Sequence, residues 1–447
     1  MEYRIEKDTM GEINVPSDRK WGAQTQRSLE NFEIGENKMP KEIIKAFAVL
    51  KKASAKVNSK LGVLPSEKAN AIAEVCDGII AGDYDNEFPL VVWQTGSGTQ
   101  SNMNVNEVIA HMTGLHPNDD VNKGQSSNDT FPTAMHIAIL TMVEEQLLPE
   151  MNELVKTFGR LSSEYNEIIK VGRTHLQDAT PLTLGQEISA WEEMLTVCQG
   201  MIINALEPVR ALALGGTAVG TGLNTHPNFA VETAAAISEY TGHSFITAPN
   251  KFHSLSSKDA VVNLHGAIKT LATDLMKIAN DVRWLASGPR CAIGELIIPE
   301  NEPGSSIMPG KVNPTQCESL TMVCARVMGN DVTVGIGNSQ GNFQLNVYMP
   351  VMAFCAVESI RLLSDAIRSF NKNCAVGIRP NEEKINEYLE QSLMLVTALT
   401  PELGYEKAAE IAKYAHQNGI SLREATVGRQ ILSNEKFDEI VNPKKMI

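Results

Sequence analysis

The sequence predicts an all-α protein organised around a long bundle of helices. Three observations carry that expectation. Leu264, Ile268, Leu271, Leu275, Ile278, Val282 and Leu285 step by 4 and 3 residues without a break; this is an apolar seam of period 3.5, roughly 33 Å long at about 1.5 Å per residue. Leu184, Ile188, Trp191, Leu195, Cys198 and Ile202 repeat those steps, and Ile360, Leu363, Ile367 and Phe370 form a shorter seam. Several such seams in one region imply helices packed side by side in near-parallel and antiparallel pairs. Capping residues stand where helices should begin: Thr180-Pro181 ahead of the Leu184 seam, Asn313-Pro314 ahead of a helix through Glu318, Asn128-Asp129 ahead of Met135 and Ile139, and Ser256 with Asp259 before the longest seam.

Taken in order, residues 1–40 are rich in turn formers and include Val15-Pro16 and Trp21-Gly22. An amphipathic helix follows, with Ile43, Phe47 and Leu50 on one face. After about residue 380 the periodic segments shorten around Arg379-Pro380 and Thr400-Pro401. A chain of 447 residues has room for about three domains at about 150 residues each. The expected division is an N-terminal domain over 1–125, a central helical bundle over 126–381 and a small helical C-terminal domain over 382–447.

Composition narrows the function. Hydrophobic residues make up 43% and charged residues 21%, which is globular composition. The 53 Asp and Glu outnumber the 39 Lys and Arg, for a net charge of −14. That balance argues against nucleic-acid and membrane-surface partners, so an anionic ligand needs a local positive site. Seven cysteines contain no C-x-x-C pair, which speaks against a disulfide framework and a thiolate metal site. They read as reduced, mostly buried thiols of a cytoplasmic protein. The start, Met1 to Asp8, has charge where a signal peptide needs an apolar run. Three stretches lack charge altogether: Phe88–Asn106, Ala211–Val231 and Val332–Val357. Each is too rich in Gly, Asn, Gln, Thr or Pro to span a membrane. They suggest surfaces covered by other subunits, or walls of a site.

Four segments place small, polar, donor-rich residues at expected helix starts: Thr95 to Asn102, Ser126 to Asp129, Gly172 to His175, and Gly304 to Pro314. Free N–H groups at helix N-termini, glycines that admit close approach and hydroxyl donors together suit a small multi-anionic ligand, most economically a dicarboxylate. Each segment also has a plainer role as a turn or cap. Lys311, between Gly310 and Asn313, is the most suggestive, since a loop so rich in Gly, Ser and Pro has no packing purpose. His175 can exchange a proton near neutral pH. Ser305 or Ser306 beside Lys311 and clustered N–H groups could be held as an alkoxide. Lys311 and Asn313 could stabilise charge accumulating on a carboxylate, and Glu318 could orient His175.

With these residues in view, the sequence resembles the class II fumarases, within the fumarase/aspartase superfamily. Gly304-Ser305-Ser306-Ile307-Met308-Pro309-Gly310-Lys311-Val312-Asn313-Pro314 looks like the superfamily signature loop. Thr95 to Asn104, His116 to Lys123, Gly172 to Gln186 and Gly215 to Gly222 are similarly fumarase-like. The likeness covers nearly the whole chain. It implies reversible, stereospecific hydration of fumarate to (S)-malate, a hydro-lyase reaction, with no metal or cofactor. It also implies three all-α domains and a homotetramer whose long helices form a twenty-helix core, with each active site shared among three subunits. Ser305 then matches the base that takes the C3 proton of malate, leading to an aci-carboxylate and loss of hydroxide. His175 matches the histidine that transfers a proton through water, and Glu318 its acidic partner. Ser97, Gly98, Thr99, Ser126, Ser127, Asn128, Thr174, Ser306, Lys311, Val312 and Asn313 match substrate-binding positions. His116, Pro117, Asn118 and Asp119 match a second, non-catalytic anion site. Two departures stand out. Only Ile109 to Leu115, with no Lys or Arg, precede His116 where relatives carry a longer insertion with a basic residue. Gln344 and Met349 stand where many relatives have Glu and Lys, with no physical account of a consequence. The nearest rival is aspartate ammonia-lyase on the same scaffold; Gly310 and Thr315-Gln316-Cys317-Glu318 look fumarase-like instead. A non-catalytic scaffold, like the related lens crystallins, is the alternative of a different kind.

Overall fold

The computed structural model describes residues 2–447. Helix accounts for 63% of the chain, and among the described residues four two-stranded sheets accompany it, so the all-α expectation is corrected to a mostly helical fold with small β-ribbons. In chain order the elements are β1 (Tyr3–Asp8), β2 (Gly11–Pro16), α1 (Ala23–Asn31), α2 (Lys41–Lys60), α3 (Ser66–Ala81), α4 (Thr99–Thr113), α5 (Ser127–Met142), α6 (Leu148–Glu164), β3 (Ile169–Thr174), β4 (Gln177–Thr183), α7 (Leu184–Leu206), β5 (Ala211–Leu212), α8 (Phe229–Thr241), β6 (Ile246–Thr247), α9 (Lys251–Ser256), α10 (Asp259–Leu285), β7 (Leu296–Ile297), α11 (Thr315–Ser339), α12 (Met349–Asn373) and β8 (Arg379–Pro380). Five shorter helices follow between Glu382 and Ile440. β5 pairs with β6 in parallel; the other three ribbons are antiparallel. Every residue of the three apolar seams is buried, in α7, α10 and α12. No described helix is long and apolar enough to cross a membrane.

The helix starts differ from the sequence expectation in instructive ways. Thr180-Pro181 lies inside β4, with Pro181 opposite Val171. The cap of α7 is instead Thr183, whose Oγ1 accepts from the Gln186 N–H (3.0 Å) while Gln186 Oε1 accepts from the Thr183 N–H (2.9 Å). Ser126, not Asn128, caps α5, and Asp129 closes the capping box. The Ser256 hydroxyl donates back to Phe252 within α9 (2.7 Å), and Ser257 accepts from the Asp259 N–H at the start of α10 (3.3 Å). Asn313 donates to the Gly304 carbonyl (2.7 Å) rather than capping α11. Each displacement is local competition: several Ser, Thr and Asn compete for one set of free N–H groups, and tertiary contacts decide among them.

The chain forms two compact units. The first takes the chain up to Pro149 together with Cys198–Ala272 and Val323–Ser364. Within it, α2 packs on α3, α5 and α8. Ile43, Phe47 and Leu50 of α2 are fully buried, and Phe47 meets Phe131 of α5 edge to face at 5.8 Å. The start of α1 lacks a side-chain cap of its own. The buried Glu107 carboxylate of α4 serves instead, accepting from the N–H groups of Gly22, Gln24 and Thr25 at 2.8–3.0 Å. A carboxylate at a helix N-terminus satisfies orphan donors and the dipole together. The second unit comprises Glu150–Val197, Thr273–Met322 and Asp365–Ile447. In it Phe158 of α6 packs edge to face on Trp191 of α7 at 5.6 Å, and the Trp191 indole donates to Asp281 (3.2 Å). The C-terminal helices have their own apolar cluster around Leu399, Ile411, Ala415 and Ala425.

Candidate active site

In the first unit, two helix N-termini carry one cluster of candidate residues. The Thr95–Gly98 turn leads into α4. Gly98 holds φ +70°, and a Cβ there would lie 2.0 Å from the Phe131 ring, so only glycine fits. That close approach brings the α4 and α5 starts into contact. Ser97 Oγ and Thr99 Oγ1 are 2.8 Å apart, and Thr99 Oγ1 and Ser127 Oγ are 2.7 Å apart. Three hydroxyls thus form one chain across two N-termini. Behind it, the fully buried Asp129 accepts from Ser126 N (2.9 Å), Gly215 N (2.9 Å) and Thr217 N (2.8 Å). Burial pushes its carboxyl up, and those three N–H groups oppose the shift. Asn128 donates to the Ala218 carbonyl (2.8 Å). The Gly215–Gly222 loop therefore fixes the Ser126–Asn128 backbone.

Still in the first unit, His116 to Asp119 form a wide helical turn, where the His116 ring accepts from Asn118 N (3.3 Å) and Asp119 N (3.0 Å). His116, Pro117 and Asn118 line a cavity of about 550 Å³ with Glu6, Asp8 and Glu107.

In the second unit, Thr174 and His175 lie on the β3–β4 hairpin rather than at a helix start. His175 and Leu176 form its two-residue turn, at φ 56° and 61°. Tight hairpins demand this left-handed backbone, which favours Asn-Gly; each ordinary L-residue there costs roughly 1–2 kcal/mol. The strain puts the His175 ring, exposed, at the tip. The hairpin stem is anchored by Arg173, which makes a bidentate pair with the fully buried Glu295 at 2.8 and 2.9 Å. Lys170, equally buried, reaches Glu295 and Glu187 at 3.1 Å each.

The Gly304–Pro314 loop is closed by its own backbone. Gly304 N donates to the Lys311 carbonyl (2.8 Å), and a Cβ on Gly304 would lie 2.7 Å from that oxygen. Ser305 Oγ accepts from the N–H groups of Ile307 (3.2 Å) and Met308 (2.9 Å). Ser306, Lys311 and Val312 are exposed, as is Glu318 in the first turn of α11. The His175 ring, the Lys311 ammonium and the Glu318 carboxylate have no hydrogen-bond or ion-pair partner among the described residues. The structure thus brings together Ser97, Thr99 and Ser127, and separately Ser305 with the Lys311–Asn313 turn; no hydrogen bond joins His175 to Glu318. No group of His, Cys, Asp and Glu among the described residues could hold a metal ion.

A family model described as Lyase matches residues 11–329, and one described as Fumarase C C-terminus matches residues 395–447. The chain is 59% identical to the fumarate hydratase class II of Bacillus subtilis and 61% identical to that of Bacillus cereus, each over 100% of this chain and 99% of the relative. The chain belongs to the class II fumarase family. Its backbone matches the crystal structure of class II fumarase from Schistosoma mansoni with a TM-score of 0.97 at 43% identity, covering 100% and 99% of the two chains. Two buried features lie outside the expectations from sequence: in the first unit Lys51, tied to the α4 and α5 starts, and in the second unit the Arg173–Glu295 pair under the hairpin. Lys51 had a signal, a lysine four residues after Phe47 on the face that buries Ile43 and Leu50. Arg173–Glu295 had none, being 122 residues apart.

Proposed function

We infer that the chain is a hydro-lyase that interconverts fumarate and (S)-malate by reversible addition of water. The observation that carries this reading is the likeness to class II fumarate hydratases at 59–61% identity along the whole chain. In the malate-to-fumarate direction, the Ser305 alkoxide takes the C3 proton and becomes a hydroxyl. Its support is the pair of N–H groups aimed at Ser305 Oγ, the environment that stabilises an oxyanion. The electron pair left on C3 delocalises into the adjacent carboxylate as an aci-carboxylate, stabilised by Lys311 and the remaining N–H of Asn313. The C2 hydroxyl leaves as water on taking a proton from His175 through a bound water, with Glu318 polarising the ring. The hydroxyls of Ser97, Thr99, Ser126 and Ser127, with Asn128, Thr174, Ser306 and the Gly98 and Val312 backbone, hold the substrate carboxylates. At the second anion position, the His116 ring already occupies the N–H groups an anion would use, so an anion must displace it.

A homotetramer with sites shared by three subunits belongs to the same proposal. Met322, Val332 and Ile336 on α11 are 68, 62 and 56% exposed, and Phe343 is 93% exposed. At 3.6 residues per turn the three α11 side chains fall on one side of the helix, a stripe that another chain would cover. Three domains over 1–125, 126–381 and 382–447 fit this reading, supported at the C-terminus by the separate apolar cluster. A cytoplasmic setting is also proposed, in keeping with seven free cysteines.

Ultraviolet absorbance of the conjugated double bond tests the activity directly. Purified protein given (S)-malate should generate it. Absorbance from aspartate but not malate would assign an ammonia-lyase, and absorbance from neither would leave a scaffold.

A further inference from the structure

We propose that Lys51 is a positioning residue of the fumarase site: a buried ammonium that ties the α4 and α5 starts together and lends a solvent-shielded positive charge to the dicarboxylate bound above them. The inference rests on reading the Ser97–Thr99 and Ser126–Asn128 segments as the carboxylate-binding half-site.

Lys51 lies on α2, fully buried. Its Nζ donates to Asn102 Oδ1 (2.8 Å), Asn122 Oδ1 (2.9 Å) and Gln125 Oε1 (2.8 Å). Asn102 is on α4, three residues past Thr99, about 4.5 Å along the helix at about 1.5 Å per residue. Its Oδ1 also accepts from Thr130 Oγ1 of α5 (3.0 Å). Gln125 immediately precedes Ser126. One nitrogen therefore links both N-termini that carry the hydroxyl chain.

The cage also favours the charged form. Each amide shows its oxygen to Lys51 because its NH₂ is committed elsewhere: Asn102 to Asn122 Oδ1 (3.2 Å), Asn122 to the Gln125 carbonyl (3.0 Å), and Gln125 to the carbonyls of Val121 and Lys123 (3.3 Å each). Three acceptors need three N–H bonds, which an ammonium has and a neutral amine lacks. Burial drives the Lys51 ammonium down to about 7, with the Asp129 carboxylate pulling the other way. Its hydrogen-bond partners are all neutral and its counter-charge is the buried Asp129 carboxylate, so the field that reaches the hydroxyl chain is reduced by that carboxylate but not damped by solvent.

The test compares two ligands of one shape and different charge, succinate and its monoamide, by calorimetry on the assembled enzyme. A unit charge about 10 Å from a carboxylate, at an effective dielectric of about 20, changes affinity roughly tenfold. Lys51→Met should weaken succinate about tenfold or more and the monoamide by roughly threefold or less. Asn122→Asp keeps the lysine and its packing but supplies a counter-charge, so it should reproduce the succinate-selective loss even where Lys51→Met does not fold. Equal losses for both ligands, or none, overturn the proposal, since packing alone does not distinguish ligand charge. Ser127→Ala separates the underlying reading: if it leaves succinate affinity unchanged, the half-site assignment fails whatever Lys51 does.

Discussion

In the proposed reaction, Ser305 and Lys311 divide the chemical problem of taking a proton from carbon. A serine hydroxyl is a poor base in water, and the two N–H groups that donate to Ser305 Oγ are donors of the kind that stabilise an oxyanion. Lys311 is left with an exposed ammonium, unpaired among the described residues, on a loop whose backbone is already closed by Gly304 and Asn313. A side chain so placed is free to meet charge that develops only in the transition state. Lys311→Met should therefore lower kcat by about 10²–10³, the cost typical of losing one preorganised donor. Steady-state kinetics with malate checks this; a raised KM with near-normal kcat would make Lys311 a ground-state binder. These residue types were legible in the sequence, because a Gly-Ser-Ser turn with one lysine suits anion chemistry wherever it sits. Which hydroxyl receives the N–H groups was not, since Ser305 and Ser306 are neighbours and the turn geometry alone separates them.

Gly98 and the β3–β4 hairpin show how elements position candidate residues, each within its own unit. The α4 start approaches α5 closely because residue 98 has no side chain between its backbone and Phe131. Gly98→Ala suffers twice, from its left-handed φ and from a Cβ 2.0 Å from that ring. Stability should fall by about 1–3 kcal/mol, as for other overpacked sites, and KM should rise as the hydroxyl chain separates. Thermal unfolding and KM measure the two effects; an unchanged KM would place carboxylate binding elsewhere. Two stretches of this hairpin look like helix starts in sequence: Gly172 to His175 by its small, polar composition, and Thr180-Pro181 by its likeness to the cap of the Leu184 helix. Pairing of Val171 with Pro181 overrides that local preference, and the resulting two-residue turn puts His175 at a strained tip that helix periodicity could not suggest.

At the scale of the whole molecule, net charge −14 sets the background against which any anion site works. The long helices carry apolar side chains such as Met322 and Val332 that this chain leaves exposed, and a site shared between chains would account for them. Mixing two inactive variants tests sharing. His175→Asn should lose about 10²–10⁴ in rate, as expected for a proton-transfer group, and Asn128→Ala should lose substrate binding. Unfolded and refolded together, they should regain about a quarter of normal activity by random assortment within a symmetric tetramer. No recovery, with tetramers shown by sedimentation, would mean that each site draws both residues from one chain.

The sequence by itself determined the long helices and the chemistry of the loops. Apolar periodicity is written along α7, most of α10 and the second half of α12, and short-range residue types dictate what a loop can bind. Tertiary structure alone decided which hydroxyl caps which helix, that His175 tops a hairpin, and that Lys51 lies beneath the hydroxyl chain. Those outcomes depend on partners far along the chain, Asn102 for Lys51 and Glu295 for Arg173. Buried polar groups accept whichever partner the fold supplies, so no local pattern records the choice.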